Sequence, residues 1–190
     1  ADARLMRKEV NLPLNFELAN TVEMVAFACD LKPDFACLVP ESREEITTEG
    51  GLDAIGHFDS LKDTIIALQG SGIKVSLFID PEEEQIEAAA KLGAEMIELH
   101  TGSFALAEGE PHQNELSRLR LSADLAASLG LQVNAGHGIH RQNINSLFSV
   151  KNLKEINVGH TLVSRALFIG LRAAVAEMKA LMAAYQGDQE

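Results

Sequence analysis

Asn134-Ala135-Gly136-His137-Gly138 and, about twenty residues later, Ile156-Asn157-Val158-Gly159-His160 are the stretches on which the fold reading turns. Each follows a short apolar run and precedes a helical pattern. Strand, glycine turn and helix, repeated at this spacing, match the way a (β/α)-barrel builds a phosphate site at the C-terminal mouth of its last two strands. Glycine suits such a turn because backbone N–H groups must come close to the anion, with no Cβ in the way and often at positive φ. The two histidines add a group that exchanges protons near neutral pH.

Outward from these motifs, strand and helix alternate almost throughout. Residues 12–19 read as a strand and 21–31 as a helix capped by Asn20 or Thr21. Pro33 ends that helix ahead of a strand over 35–39. A polar loop over 40–56 leads to a helix over 59–69, stopped by Gly70-Ser71-Gly72. The run 74–79 is the clearest buried strand. Asp80-Pro81 after it reads as an N-cap with proline at N1, and Glu82, Glu83 and Glu84 suit the positive first turn of the next helix. A strand over 96–100, a helix over 113–129, a strand over 132–135, a helix over 141–150, a strand over 155–158 and one long helix over 161–185 complete the pattern. Six βα units with helices between strands imply a parallel sheet. The expectation is therefore an α/β chain of the TIM (β/α)8-barrel family, with residues 1–190 forming a single partial barrel domain. A full barrel of this type has eight units and about 250 residues, so either the six units form an open sheet or two βα units are absent from the front of this sequence.

Composition narrows the function classes. The chain has 190 residues, enough for one domain with a sizeable core, and an ordinary apolar share of 46%. No run approaches the roughly 20 apolar residues that span a bilayer, and the N-terminus does not read as a signal peptide. A net charge of −12 argues against nonspecific nucleic-acid binding and against an anionic membrane surface. Local glycine amides can still bind an anionic substrate. Cys29 and Cys37 lack metal-ligand spacing and read as small buried groups. The default location is the cytosol.

Several residues carry chemistry in one reading and none in another. Glu17 lies near the C-terminal end of its strand; a carboxylate aimed into a barrel mouth is partly desolvated and suited to acid–base work, and otherwise it pairs with a base. Thr47 and Thr48, beside Gly50 and Gly51, can hold a phosphate or sugar hydroxyl, or simply make a turn. Glu98 and His100 alternate along one strand and so share a face. Inside a barrel they need partners or a task; support of a neighbouring group fits them slightly better than direct chemistry, and metal binding lacks a third ligand in register. His137, bracketed by glycines, is expected at the mouth. His160 opens the last helix, where its side chain can pack or cap while its N–H serves a phosphate.

Seven blocks in order resemble the pyridoxine 5′-phosphate synthase family: Asn15-Phe16-Glu17-Leu18-Ala19, Cys37-Leu38-Val39-Pro40-Glu41, Thr47-Thr48-Glu49-Gly50-Gly51-Leu52-Asp53, Val75-Ser76-Leu77-Phe78-Ile79-Asp80, Ile97-Glu98-Leu99-His100-Thr101-Gly102, Val133-Asn134-Ala135-Gly136-His137-Gly138 and Asn157-Val158-Gly159-His160. The resemblance implies a cytosolic (β/α)8 barrel assembling as a homo-octamer. Its implied reaction condenses 3-amino-2-oxopropyl phosphate with 1-deoxy-D-xylulose 5-phosphate, giving pyridoxine 5′-phosphate, phosphate and water in vitamin B6 synthesis. No metal or organic cofactor is implied. By the same resemblance Glu17 corresponds to a proton acceptor and His137 to a proton donor. Thr47 corresponds to a contact to the deoxyxylulose phosphate, and Gly138 to one at the aminoketone end. Gly159 and His160 correspond to the pair holding the aminoketone phosphate. Glu98 matches a pocket glutamate without a defined role.

Two family segments have no counterpart here: an Asn-x-Asp-His pattern with a following arginine, and a His-x-Arg segment followed by a histidine. They supply a second base and much of the phosphate and sugar binding. The chain accordingly reads as starting inside the second helix, ahead of the third strand. Two competing expectations are a phosphosugar isomerase or epimerase on the same barrel, and an inactive partial barrel that binds another chain.

Overall fold

The computed structural model describes residues 2–40 and 50–187. In chain order the elements are α1 (Asp2–Glu9), β1 (Asn15–Ala19), α2 (Val22–Leu31), β2 (Phe35–Val39), α3 (Phe58–Gly70), β3 (Lys74–Ile79), α4 (Glu83–Leu92), β4 (Met96–His100), α5 (Gly102–Leu106), α6 (Gly109–Ser128), β5 (Gln132–Gly136), α7 (Ile144–Leu147), β6 (Leu153–Asn157), α8 (His160–Ile169) and α9 (Leu171–Met182). The six strands form one sheet in the order β1-β2-β3-β4-β5-β6, with every neighbouring pair parallel. This is the alternating βα architecture expected of a (β/α)-barrel wall. Among the described residues, no helix is long and apolar enough to cross a membrane.

Strand alternation sorts the side chains into two faces. Leu18, Ala36, Leu38, Val75, Leu77, Ile97, Leu99 and Val133 point to the helices and are at most 2% exposed. They pack with Ile65, Leu68, Ile86 and Leu119 into the main core. The other face carries the polar residues, set side by side by register. Glu17 lies beside Cys37, and Cys37 beside Ser76. One layer higher, Phe78, Glu98, Asn134 and Glu155 run across four strands. Higher still, His100, Gly136 and Asn157 form the rim. A register shift between Val133 and Asn134 opposite β6 lets Leu153 and Glu155 both find partners on β5.

Most boundaries follow the sequence reading, and the departures have local causes. Thr21 is the cap of α2, its hydroxyl accepting from Met24 N–H at 3.3 Å. The stop after α3 is a glycine stop: Gly72 sits at φ +82° while Ile73 N–H reaches back to the Leu68 carbonyl. The long last helix is two helices, because Gly170 at φ +82° and ψ 150° breaks the ladder between α8 and α9. The helix expected over 141–150 shrinks to the four residues of α7. There Asn143 spends its side chain on the backbone, accepting from His140 N–H and donating to the Gly138 carbonyl. Asp80 is not the cap of α4. That helix starts at Glu83, after Glu82, and the Asp80 carboxylate is engaged by His100 instead. Glu83 and Glu84 do fill its first turn, and Glu82 pairs with Arg118 at 2.9 Å.

Candidate active site

Above the C-terminal ends of the strands lies an open cavity of about 620 Å³. Its walls include Glu17 from β1, Phe78 from β3, Glu98 from β4, His137 and Gly138 after β5, Asn157 at the end of β6, and Gly159 and His160 after it. Six residues singled out in the sequence therefore share one hollow: Glu17, Glu98, His137, Gly138, Gly159 and His160. Thr47 lies outside the described residues.

The two glycine loops are tied together. Thr161, in the first turn of α8, donates its hydroxyl to the Ile139 carbonyl at 2.6 Å. The start of α8 thereby stands beside the loop after β5, and its first-turn N–H groups have no partner within the helix. That is an anion-binding geometry, reinforced by the positive end of the helix dipole. The glycines have different reasons to be glycine. Gly138 is at φ +73°, where a side chain is strained. A Cβ on Gly136 would collide with Glu98 Oε1. Gly159 has neither constraint, since a Cβ there meets nothing within 4 Å and its φ is −117°. Crowding by the protein does not explain Gly159.

His137 itself sits at φ +80°, an uncommon conformation for a residue with a side chain. The buried Thr101 hydroxyl holds it, lying 2.7 Å from the Gly136 carbonyl and 2.6 Å from the His137 carbonyl. The side chain is half-buried at the mouth. Desolvation first, and then the neighbouring His100 and His160, lower its pKa from the usual histidine value.

Two carboxylates face the cavity in different surroundings. Glu98 is 5% exposed, and burial raises its pKa to about 7. It accepts from Asn157 Nδ2 at 2.6 Å and from the Cys37 thiol at 3.8 Å. Burial and the two glutamates push the Cys37 thiol well up in turn. Glu17, by contrast, is exposed, which corrects the expectation of a desolvated carboxylate. Among the described residues β1 has a strand neighbour on one side only, so nothing closes over its inward face.

Sequence reasoning missed three participants. Asn157 stands two residues before Gly159, and its role as donor to Glu98 depends on register across β5. Thr101 follows His100 and clamps the neighbouring strand. Asp80, read as a helix cap, meets His100 Nδ1 at 2.9 Å. The inward face of β4 was the available signal, since a glutamate and a histidine two apart on a buried strand require partners.

Residues 1–184 match the family described as pyridoxal phosphate biosynthesis protein PdxJ. The chain is also 59% identical over 180 residues to the pyridoxine 5′-phosphate synthase of Akkermansia muciniphila, covering 94% of this chain and 73% of that relative. The chain belongs to the PdxJ family. Solved structures similar to this PdxJ-family chain include the tryptophan synthase α subunit of Campylobacter jejuni, with a TM-score of 0.63 at 16% identity over 95% of this chain and 70% of that one. A 4-hydroxy-2-oxoglutarate/2-dehydro-3-deoxyphosphogluconate aldolase from TTHB1 has a TM-score of 0.62 at 18% identity, over 95% and 72% respectively. At that identity the likeness concerns the barrel fold alone.

Proposed function

We propose that this chain is a pyridoxine 5′-phosphate synthase, joining 3-amino-2-oxopropyl phosphate to 1-deoxy-D-xylulose 5-phosphate to give pyridoxine 5′-phosphate, phosphate and water. The observation that carries the reading is the 59% identity to a synthase over nearly the whole chain. The shared cavity of Glu17, His137 and the two glycine loops supports it. Imine formation, repeated dehydration, loss of phosphate and ring closure each move a proton. In this reading the solvated Glu17 takes protons as the enamine forms, and His137 delivers one to a departing hydroxyl. A lowered pKa makes the His137 imidazolium a stronger acid, well suited to giving its proton away. The amides at Gly159 and His160 hold the aminoketone phosphate, and Gly138 contacts the same end, so that amine and ketone meet in reactive geometry. Thr47 is assigned to the deoxyxylulose phosphate on sequence alone. The homo-octamer belongs to the same proposal and is checked by light scattering.

The test supplies both phosphate esters and follows pyridoxine 5′-phosphate and inorganic phosphate. Product should form only when both esters are present. Conversion of one ester by itself would instead mark an isomerase or epimerase. Glu17→Gln and His137→Asn should each lower turnover by about two or more orders of magnitude, with KM nearly unchanged. Wild-type rates in both would remove the residue assignments.

A further inference from the structure

Asp80 follows β3 and His100 ends β4, on the same rim as His137. Asp80 Oδ1 lies 2.9 Å from His100 Nδ1, and the Asp80 carboxylate also accepts from Gly51 N–H, with Arg118 nearby. His100 is 7% exposed, and its Nε2 is buried without a hydrogen-bond partner among the described residues. This imidazole and the His137 ring meet in an edge-type contact, with centroids 5.0 Å apart and planes at 62°. Phe78 closes the third side, 5.1 Å from His100 and 6.5 Å from His137. Gly102 keeps the junction clear. A Cβ there would come within 2.6 Å of His100 Nε2 and 3.3 Å of His137 Cδ2.

We propose that Asp80 and His100 are a positioning pair for His137, holding its ring at one angle to the cavity and setting a second imidazole so close that a charge on one ring disfavours a charge on the other. The carboxylate accepts from Nδ1–H, which commits one proton of His100 to Nδ1 and leaves Nε2 as the atom where a second can bind. A proton on Nε2 has no acceptor and would face a second imidazolium across 5.0 Å. The remaining groups toward His137 are His160 at the start of α8, and Glu17 and Glu98 across the cavity. Phe78 is uncharged, so His100 is the ionisable side chain against His137 on the β3–β4 side. The consequence for proton donation rests on the synthase reading; the pairing does not.

The experiment is histidine NMR on the full chain without substrate, with assignments from single substitutions. Wild-type long-range ¹H–¹⁵N spectra should show His100 protonated at Nδ1, and an Nε2–H tautomer would overturn the proposal. An NOE should join the His100 and His137 rings; its absence would overturn the positioning half. His100→Asn keeps a donor for Asp80 and removes the titrating ring. The His137 midpoint should then rise by about half a pH unit or more, as expected on losing a like-charged neighbour. An unchanged midpoint in a folded variant would overturn the coupling between the two rings. Should that variant fail to fold, Asp80→Asn supplies the second arm. It should let His100 populate both tautomers, and a pure Nδ1–H form there would refute the role of Asp80. With both esters, His100→Asn should reduce kcat about tenfold at constant KM, and an unaltered kcat would sever the pair from catalysis. No product even from the wild type would count against the synthase reading and leave the NMR result standing.

Discussion

Glu98 concentrates the energetic cost of the site in one side chain. Its pKa is raised from 4.5 to about 7 by burial, so between these values the folded chain holds a proton that the unfolded chain has released. Stability therefore falls as pH rises from 4.5 to 7, by about 3 kcal/mol in all. Glu98→Gln should abolish most of this slope and make the variant more stable than wild type at pH 8, as read by thermal melts at pH 5 and 8. A melting difference that is the same in both proteins would contradict the buried proton. Two glycines give a contrasting pair. Gly136→Ala pushes a methyl into Glu98 and should cost about 1–3 kcal/mol in urea unfolding. Much of that cost should disappear in a Glu98→Ala background. Gly159→Ala meets nothing, so it should change stability by about 1 kcal/mol or less while weakening binding of inorganic phosphate, measured by calorimetry. Equal stability losses at the two positions would deny Gly159 its ligand-side explanation.

At the scale of elements, the decisive joints run between the ends of strands and the helices that follow. Thr101, just past β4, clamps the end of β5 through its hydroxyl. The Gly136 carbonyl also accepts from Thr101 N–H, so Thr101→Val leaves chiefly the His137 carbonyl without its bond. Its expected cost is about 1–2 kcal/mol by chemical denaturation. Because His137 is held at positive φ, the same change should broaden its NMR resonances, whereas sharp wild-type signals would show that the clamp is dispensable. The break at Gly170 and the shortness of α7 belong to this scale as well. Helical periodicity runs through both segments, and a glycine and an asparagine side chain override it.

Across the whole molecule, the central strands carry the rigidity. Residues of β3 and β4 are almost wholly buried and have neighbours on both sides, whereas β1 and β6 each have one neighbour among the described residues. Hydrogen exchange should accordingly be slowest in β3 and β4 and at least about tenfold faster in β1 and β6. Uniform protection across the six strands would refute this gradient. The order of elements, the parallel sheet and the glycine loops were legible in the sequence, because periodicity, caps and turn chemistry act within a few residues. Glu17 and His137 could be picked out in the same way, as polar groups at strand ends. What surrounds them could not. Asp80 was free on paper to cap a helix, and only the adjacency of β3 and β4 gave it to His100. Glu98 meets Asn157 across 59 residues of chain, and Glu17 is left in solvent by its place on β1, at the edge of the sheet. Partners so far apart in sequence meet only through strand register. That register is settled by the packing of the whole core, and no local stretch of residues encodes it.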